Sequence, residues 1–458
     1  MAVTLSLSVD AADAARPDLL ATPLLRLASV LDPAGIPLSA FTTPAARTWL
    51  SYARSLHHQA AALLELDEDT VTAGLRCLHR FNLVTVDDTT VRVHGLVQRV
   101  LREPLTDDEV SEVAKAAADA LLAIWPYIER DPSQSQTLRD NTTALRHHVG
   151  DALLTPSPHN VLFRAAQSLG ETGLVQSAIA AFEQLLDDRL RMLGPDHPDT
   201  LANRGHLARW HSQLGHHAGA IGSLQQLLGD QLRVLGPDHH DTLATRGLLA
   251  LYGLPGGRAS AYRQLLDDQL RVLGPDHPDT LTTRSHLARW QGEIGHHAGA
   301  TAALQLLLDD QMRVLGPDHP DTLATRRGLA KVRGQAGDPA GAASVYRQLL
   351  DDVARVFGRD HPNTLATRGD LAQWHGAAGD PTGAAAALQL LLDDQMQVLG
   401  PDHPDTLATR GDLAMWRGEA GDPAGAATAF AHLFDDMVRV LGRDHANTLA
   451  TSGRPLAT

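Results

Sequence analysis

The sequence predicts a mainly α-helical chain, an α-solenoid preceded by a small non-repeating domain of helices and one β-hairpin. Three observations carry that expectation. A Gly-x-Asp-His motif recurs at Gly194, Gly236, Gly274, Gly316, Gly358, Gly400 and Gly442, in steps of 42, 38, 42, 42, 42 and 42 residues. A fixed period of this size marks stacked repeats, each burying its apolar face on its neighbour. Between the motifs, apolar residues fall at helical spacing. Residues 1–103 share none of this periodicity and contain an alternating stretch, LVTVDDTTVRV, that reads as a hairpin.

Composition narrows the function classes. The 458 residues are 43% hydrophobic, so the chain folds into globular structure. Aromatic residues are 4% while Gly and Ala abound, which suits closely packed helices. No apolar run approaches the roughly 18 residues of a membrane span, and the N-terminus lacks a secretory pattern. A single cysteine, Cys77, excludes a disulfide framework and a cysteine-rich zinc site. The expected compartment is the cytoplasm. A net charge of −15 opposes nucleic-acid binding driven by phosphate contacts. Lys115 and Lys331 are the only lysines, and neither sits in a Gly-Lys-Ser/Thr loop, so the chain carries no P-loop.

Taken in order, the N-terminal domain (1–103) opens with helical spacing up to about Leu31, followed by a Pro-Gly break. Further helices are expected near Pro44–Leu56 and over Asp67–His79, then the hairpin at 83–93 and a helix from His94 to Leu101. Helices followed by a hairpin wing describe a winged helix. A helical connector spans 104–157. The repeat array spans 158–441 in about seven units, the first a degenerate one over Asn160–Leu193. In the second unit one helix is predicted from Asp199 to about Gly215, with Leu201, Leu207, Ala208, Trp210 and Leu214 as apolar stripes. Another runs from about His217 to Leu235 through Leu224, Leu227 and Leu228. The third unit lacks four residues around Tyr252–Leu254, which shortens its first helix. Residues 442–458 begin an eighth unit that dissolves into SGRPLAT.

The recurring turn has a mechanical reading. Gly400 ends a helix in the left-handed cap position. Asp402 or His403 caps the next helix, Pro404 suits its first position, and Asp405 favours the positive end of its dipole. The proline gives way to His240 and Ala446 in two copies, whereas the histidine is constant. A capping histidine is favoured over a metal ligand, because a solenoid holds equivalent residues roughly 10 Å apart and ligands must converge. The paired aspartates before each turn (Asp187-Asp188 through Asp435-Asp436) are expected on a solvated face, neutralised by Arg204, Arg246, Arg284, Arg326, Arg368 and Arg410 on the following helices. Trp210, Trp290, Trp374 and Trp416 share one register and are read as core packing. No nucleophile, base and orienter converge, so the chain is expected not to be an enzyme and to carry no metal or cofactor.

Two helices per unit with Ala or Gly at the crossing points (Ala208, Gly215, Ala220) resemble a tetratricopeptide repeat. The 42-residue length and the LG-x-DHP-D turn look like its kinesin-light-chain subclass. The resemblance implies that the first helix of each unit lines a concave groove. One groove register then reads Arg209, Leu251, Arg289, Lys331, Gln373, Met415. Its neighbour reads His206, Leu248, His286, Gly328, Asp370, Asp412, with Arg327 beside Gly328. None of these is the asparagine with which such repeats clasp a peptide backbone. Units two to five are basic and units six and seven acidic. The expected binding residues are therefore His206, Arg209, His286, Arg289, Arg327, Lys331, Asp370 and Asp412. The expected ligand is a protein or an extended peptide whose acidic end or free carboxylate lies in the basic half.

Residues 1–103 resemble the winged-helix part of NB-ARC (STAND-class) signalling ATPases. VRVHGLVQ stands where that family carries its Met-His-Asp motif, so His94 matches the nucleotide-sensing histidine, with Gly95 in place of the aspartate. The whole looks like the C-terminal half of actinobacterial NB-ARC proteins with tetratricopeptide tails, without the P-loop domain. The resemblance implies a non-enzymatic binding scaffold or sensor arm. The alternative is a regulatory fragment whose winged helix docks on a nucleotide-binding domain in another chain. A transcriptional regulator is the third reading; against it, ELDEDTVTAG puts four acids and no base before Arg76.

Overall fold

Cap residues and left-handed glycines cut the chain into helices almost wherever the sequence places them. The computed structural model describes residues 2–56, 66–253 and 255–441, and these form twenty-two α-helices and one small sheet. They group into two units, residues 1–170 with 180–195 and residues 171–179 with 196–458.

In the first unit the order is α1 (Ala2–Asp13), α2 (Ala21–Ser29), β1 (Ile36–Pro37), α3 (Leu38–Thr42), α4 (Pro44–Ser55), α5 (Glu68–Arg80), β2 (Thr85–Val86), β3 (Thr90–Arg92) and α6 (Gly95–Arg102). Then come α7 (Asp107–Ile124), α8 (Pro132–Val149), α9 (Asn160–Glu171) and α10 (Val175–Leu193). Local chemistry sets the starts. Thr43 accepts from the Ala46 N–H and Asp67 from the Thr70 N–H, while Thr106 and Glu109 form a reciprocal capping box on α7. The sheet runs β1-β3-β2, antiparallel throughout, with Ile36 and Val86 both opposite Val91. The expected hairpin is present but short, and it recruits Ile36–Pro37, which carry no alternation of their own. Leu24, Leu25, Ile36, Phe41, Leu50, Val71, Leu75 and Val91 fill the core. Each such aliphatic burial contributes about 1.5–3 kcal/mol. The buried Gln98 amide donates to the Ala28 and Leu31 carbonyls, so α6 is tied to α2. Glu129 is buried yet paired: it accepts from Trp125 Nε1 and Ser168 Oγ, and Arg164 lies 2.7 Å away.

The second unit is built from helix pairs: α11 (Pro198–Gln213) with α12 (His217–Val234), α13 (His240–Tyr252) with α14 (Pro255–Val272), and α15 (Pro278–Glu293) with α16 (His297–Val314). The series continues with α17 (Pro320–Gln335) and α18 (Pro339–Phe357), α19 (Pro362–Ala377) and α20 (Pro381–Val398), α21 (Pro404–Glu419) and α22 (Pro423–Leu441). The third repeat is shortened as expected: α13 has 13 residues where its counterparts have 16. Each pair buries its own small core, as with Leu281, Ala288, Leu304 and Leu307, closed by Val332 of the next pair.

At the turn between repeats, sequence left two cap candidates open, and the histidine takes the role. Nδ1 of His197, His239, His277, His319, His361 and His403 accepts the N–H two residues on, at 3.1–3.2 Å. The neighbouring aspartate does something else. Asp196, Asp238, Asp276, Asp318 and Asp402 each accept two bonds from an arginine of the next turn: Arg233, Arg271, Arg313, Arg355 and Arg439. The six described motif glycines have φ between 85° and 95°, where a side chain is disfavoured. The seventh copy at Gly442 and the unit begun at 442–458 lie outside the described residues, as does Leu254.

The paired aspartates need a correction. Asp268, Asp310, Asp352, Asp394 and Asp436 pair with Arg246, Arg284, Arg326, Arg368 and Arg410 of the preceding helix in the same repeat, not the following one, and the lone Asp230 pairs with Arg204 in the same way. The second helix folds back on the first, so the partner lies 26 residues earlier, or 22 in the shortened third repeat. The tryptophan register is packing: Trp374 lies over Gly334 and Trp416 over Gly376, where an added Cβ would come within 2.6 Å of the indole of Trp416.

Candidate functional site

All eight expected groove residues lie on first helices of the second unit: His206 and Arg209 on α11, His286 and Arg289 on α15, Arg327 and Lys331 on α17, Asp370 on α19 and Asp412 on α21. Helical spacing fixes this, because residues three apart share a face. They do not form one site.

A cleft of about 390 Å³ opens across α11, α13 and α15 and is lined by His206, Arg209 and His286, with Leu248 and Leu251 between them. It lies at the shortened third repeat. The half-buried His286 ring stacks on Tyr262 of α14, centroids 5.9 Å apart and planes 13° apart. Burial, then the charges of Arg289 and Arg209, push His286 down from 6.5 to about 4, so the ring is neutral at physiological pH. The Arg209 guanidinium lies 5.5 Å from the centre of the Trp210 ring. The Arg289 arm crosses Gly328 of α17, where a Cβ would meet its Cγ and Cδ at 3.3 Å. Among the described residues neither Arg209 nor Arg289 has a carboxylate partner, whereas the arginines of the turns and of the helix-to-helix pairs do.

Arg327 differs. Its Nε donates to Asp370 Oδ2 at 2.6 Å, so two expected contacts neutralise each other. The basic-to-acidic gradient read from sequence is thus partly closed within the chain. Lys331 and Asp412 stand outside the cleft. In the other groove register, Gln373 accepts the Trp416 indole N–H at 2.8 Å.

Sequence reasoning missed several cleft residues. Tyr262 is 1% exposed and its hydroxyl has no partner among the described residues; burial raises it to about 12. The signal is slight: the register reads Phe182, Leu224, Tyr262, Leu304, Tyr346, Leu388 and Phe430, and only the two tyrosines bring a hydroxyl into it. Tyr346 donates to the Arg327 carbonyl at 3.2 Å. Gln231 and Gln269, in the last turns of α12 and α14, line the cleft with unpartnered Oε1 atoms. His240, the residue in the proline slot, lies 2.9 Å from Asp241 and 3.7 Å from Asp279. Asp279 Oδ2 is buried without a hydrogen bond among the described residues.

No group of three or more His, Cys, Asp or Glu among the described residues is placed to hold a metal. No described helix is long and apolar enough to cross a membrane. In the first unit, His94 caps α6: its Nδ1 accepts the Leu96 N–H at 3.2 Å, and the residue is exposed.

Tetratricopeptide-repeat family models match residues 159–230, and again 280–321, 322–363 and 364–405. No curated protein sequence matches the chain. Among solved structures, the chain is similar to a kinesin-light-chain-type protein with nearly identical TPR-like repeats from Podosopora anserina, at 26% identity. That match covers 44% of this chain and 97% of that one, with a TM-score of 0.35. A STAND protein with a tetratricopeptide-repeat sensor from Pyrococcus horikoshii matches at 12% identity over 93% of this chain and 64% of its own, TM-score 0.43. A Rap protein complexed with Competence and Sporulation Factor matches at 9% identity over 73% and 94%, TM-score 0.46. Helix pairs of matching length, joined by glycine turns and recognised by those family models, establish that this chain carries tandem tetratricopeptide repeats.

Proposed function

We propose that the chain is a non-enzymatic scaffold or sensor arm that binds a protein or an extended peptide along the first helices of its repeats. Tetratricopeptide scaffolds generally mediate protein interactions. The observation that carries the reading here is the contrast among arginines. Those that hold the fold are ion-paired, whereas Arg209 lines the cleft and Arg289 acts on His286 from beside it, neither with a carboxylate partner among the described residues. Unpaired cations beside a neutral His286 suit an acidic end or free carboxylate of the ligand. Lys331 continues the basic register, and His206 and Asp412 flank it on α11 and α21. The test is affinity capture with the intact chain and with the R209E/R289E variant, followed by titration of each purified candidate. A partner lost with the variant and rebinding in purified form supports the reading. An identical partner set for both proteins sinks it.

A second reading gives residues 1–103 their own task. The strand order β1-β3-β2 with α2, α3–α4 and α5 suits a winged helix. The exposed His94, which caps α6, would then meet a nucleotide held by a P-loop domain in another chain. ADP affinity of that domain, measured with this chain and with its His94→Ala variant, tests it. Equal affinities end the proposal.

A further inference from the structure

The cleft across α11, α13 and α15 is lined by groups of opposite character at its two ends. One end is made by donors: Arg209 from α11, His286 from α15 and the hydroxyl of Tyr262 from α14, unpartnered among the described residues; Arg289 stands beside them, close enough for its charge to act on His286 while its arm crosses Gly328. The other end is made where the first helices begin. Asp241 is the second residue of α13 and Asp279 the second of α15, with His240 between their carboxylates. Gln231 and Gln269, 1% and 2% exposed, contribute Oε1 atoms that accept nothing among the described residues. Unsatisfied Oε1 atoms also occur at Gln311 and Gln395, so the glutamine register recurs. Its conjunction with unpaired arginines occurs at this cleft.

We propose that the cleft takes a zwitterionic peptide segment in one fixed direction, with a carboxylate between Arg209 and Arg289 and an ammonium or guanidinium on Asp241 and Asp279. This rests on the groove reading above and adds the second charge and the polarity. A buried acceptor or donor left unsatisfied costs free energy, so a ligand supplying partners at both ends gains at both. Asp279 and Arg289 lie ten positions apart on α15. At a rise of about 1.5 Å per residue that is roughly 15 Å along the helix, from which long side chains subtract several ångströms. An extended peptide at about 3.3 Å per residue then spaces its acid and base by two to four positions. The acid is either a side chain or the terminal carboxylate; both present the same group to the arginines.

The experiment uses the full chain, fluorescently labelled, on two bead libraries of random hexapeptides. One is acetylated and amidated, and the other keeps a free C-terminus. Selected peptides should carry Asp or Glu and Lys or Arg at a constant offset in one order, with preference for the second library identifying a terminal carboxylate. In R209E/R289E the acid position should become basic, and in D241K/D279K the basic position acidic, each with about tenfold loss for the original peptides. A reversed preference cannot come from misfolding. Peptides selected without a charge pattern, but lost in a cleft-filling Thr282→Trp variant, overturn the zwitterionic proposal and leave the groove reading standing. No enrichment, or enrichment equal in Thr282→Trp, overturns both.

Discussion

Arg327 on α17 and Asp370 on α19 form an ion pair, Nε to Oδ2 at 2.6 Å, that joins first helices of consecutive repeats. Burial works against the charge on Arg327, and Asp370 outweighs it, holding the guanidinium above its ordinary value. A satisfied arginine offers little to a ligand. Arg327→Ala should therefore leave ligand affinity within about twofold, while Arg209→Ala and Arg289→Ala each weaken it about tenfold. Asp370→Asn should lower stability by about 0–1 kcal/mol, because the pair is 40% and 31% exposed. Calorimetric titration with a selected peptide and urea midpoints check the two halves. Equal affinity losses for Arg327 and Arg289 would count against the division of roles.

The turn-to-turn clamps offer a gain-of-function check. Asp276 with Arg313 and Asp318 with Arg355 are 37 residues apart, and the same spacing from Asp360 reaches Gln397. Asp360 has no arginine partner among the described residues. Gln397→Arg should restore the missing clamp and raise stability by up to about 1 kcal/mol, since its counterparts are half-exposed. The gain should fade in high salt. A salt-independent midpoint, or none gained, refutes the clamp as an energetic contact.

The histidine cap and the glycine seat are both local and both testable by repair. His277→Ala should cost about 1 kcal/mol, and His277→Asn should recover most of it, because asparagine supplies a comparable acceptor to the Asp279 N–H. Chelator should change neither midpoint. Gly376→Ala should cost about 1–3 kcal/mol by forcing its Cβ into Trp416. In a background carrying Trp416→Leu that penalty should largely vanish, which a double-mutant cycle reads directly.

The repeat frame was legible because its determinants are local and written several times. Gly400, His403 and Pro404 state a helix end, a cap and a helix start within five letters, and α20 and α21 end and begin there. The strand at Ile36–Pro37 was not legible, since two residues have no periodicity and only pairing with Val91 and Thr90 makes them a strand. The groove register was legible as positions but not as partners. Nothing in the letters of Arg327 and Asp370, 43 residues apart, says that the backbone brings them to 2.6 Å while Arg289 extends over Gly328. Tyr262 shares its register with Leu224, Leu304 and Leu388 but also with Phe182 and Phe430, so it reads as packing until its hydroxyl is found without a partner among the described residues.

His286 carries a pH dependence whose direction follows from its surroundings. Its value falls from 6.5 to about 4, through burial first and then Arg289 and Arg209. Tyr262 on α14 stacks on the ring, and Asp279 lies two turns away on the same helix. The folded state thus resists a proton that the unfolded chain accepts. The contribution of this residue is intact above pH 6.5, is lost as pH falls towards about 4, and does not change further below that. His286→Gln should remove this component, so the difference in urea midpoint between pH 7 and pH 5 should shrink relative to the unaltered chain. A carboxylate bound between Arg209 and Arg289 cancels part of their repulsion and raises the ring's pKa. Binding should then take up a proton, and affinity should rise from pH 7 to pH 5 in the unaltered chain but not in His286→Gln. Ring titration by NMR, with and without a selected peptide, reads both effects. A His286 ring titrating near 6.5 in the free protein would remove the basis for either one.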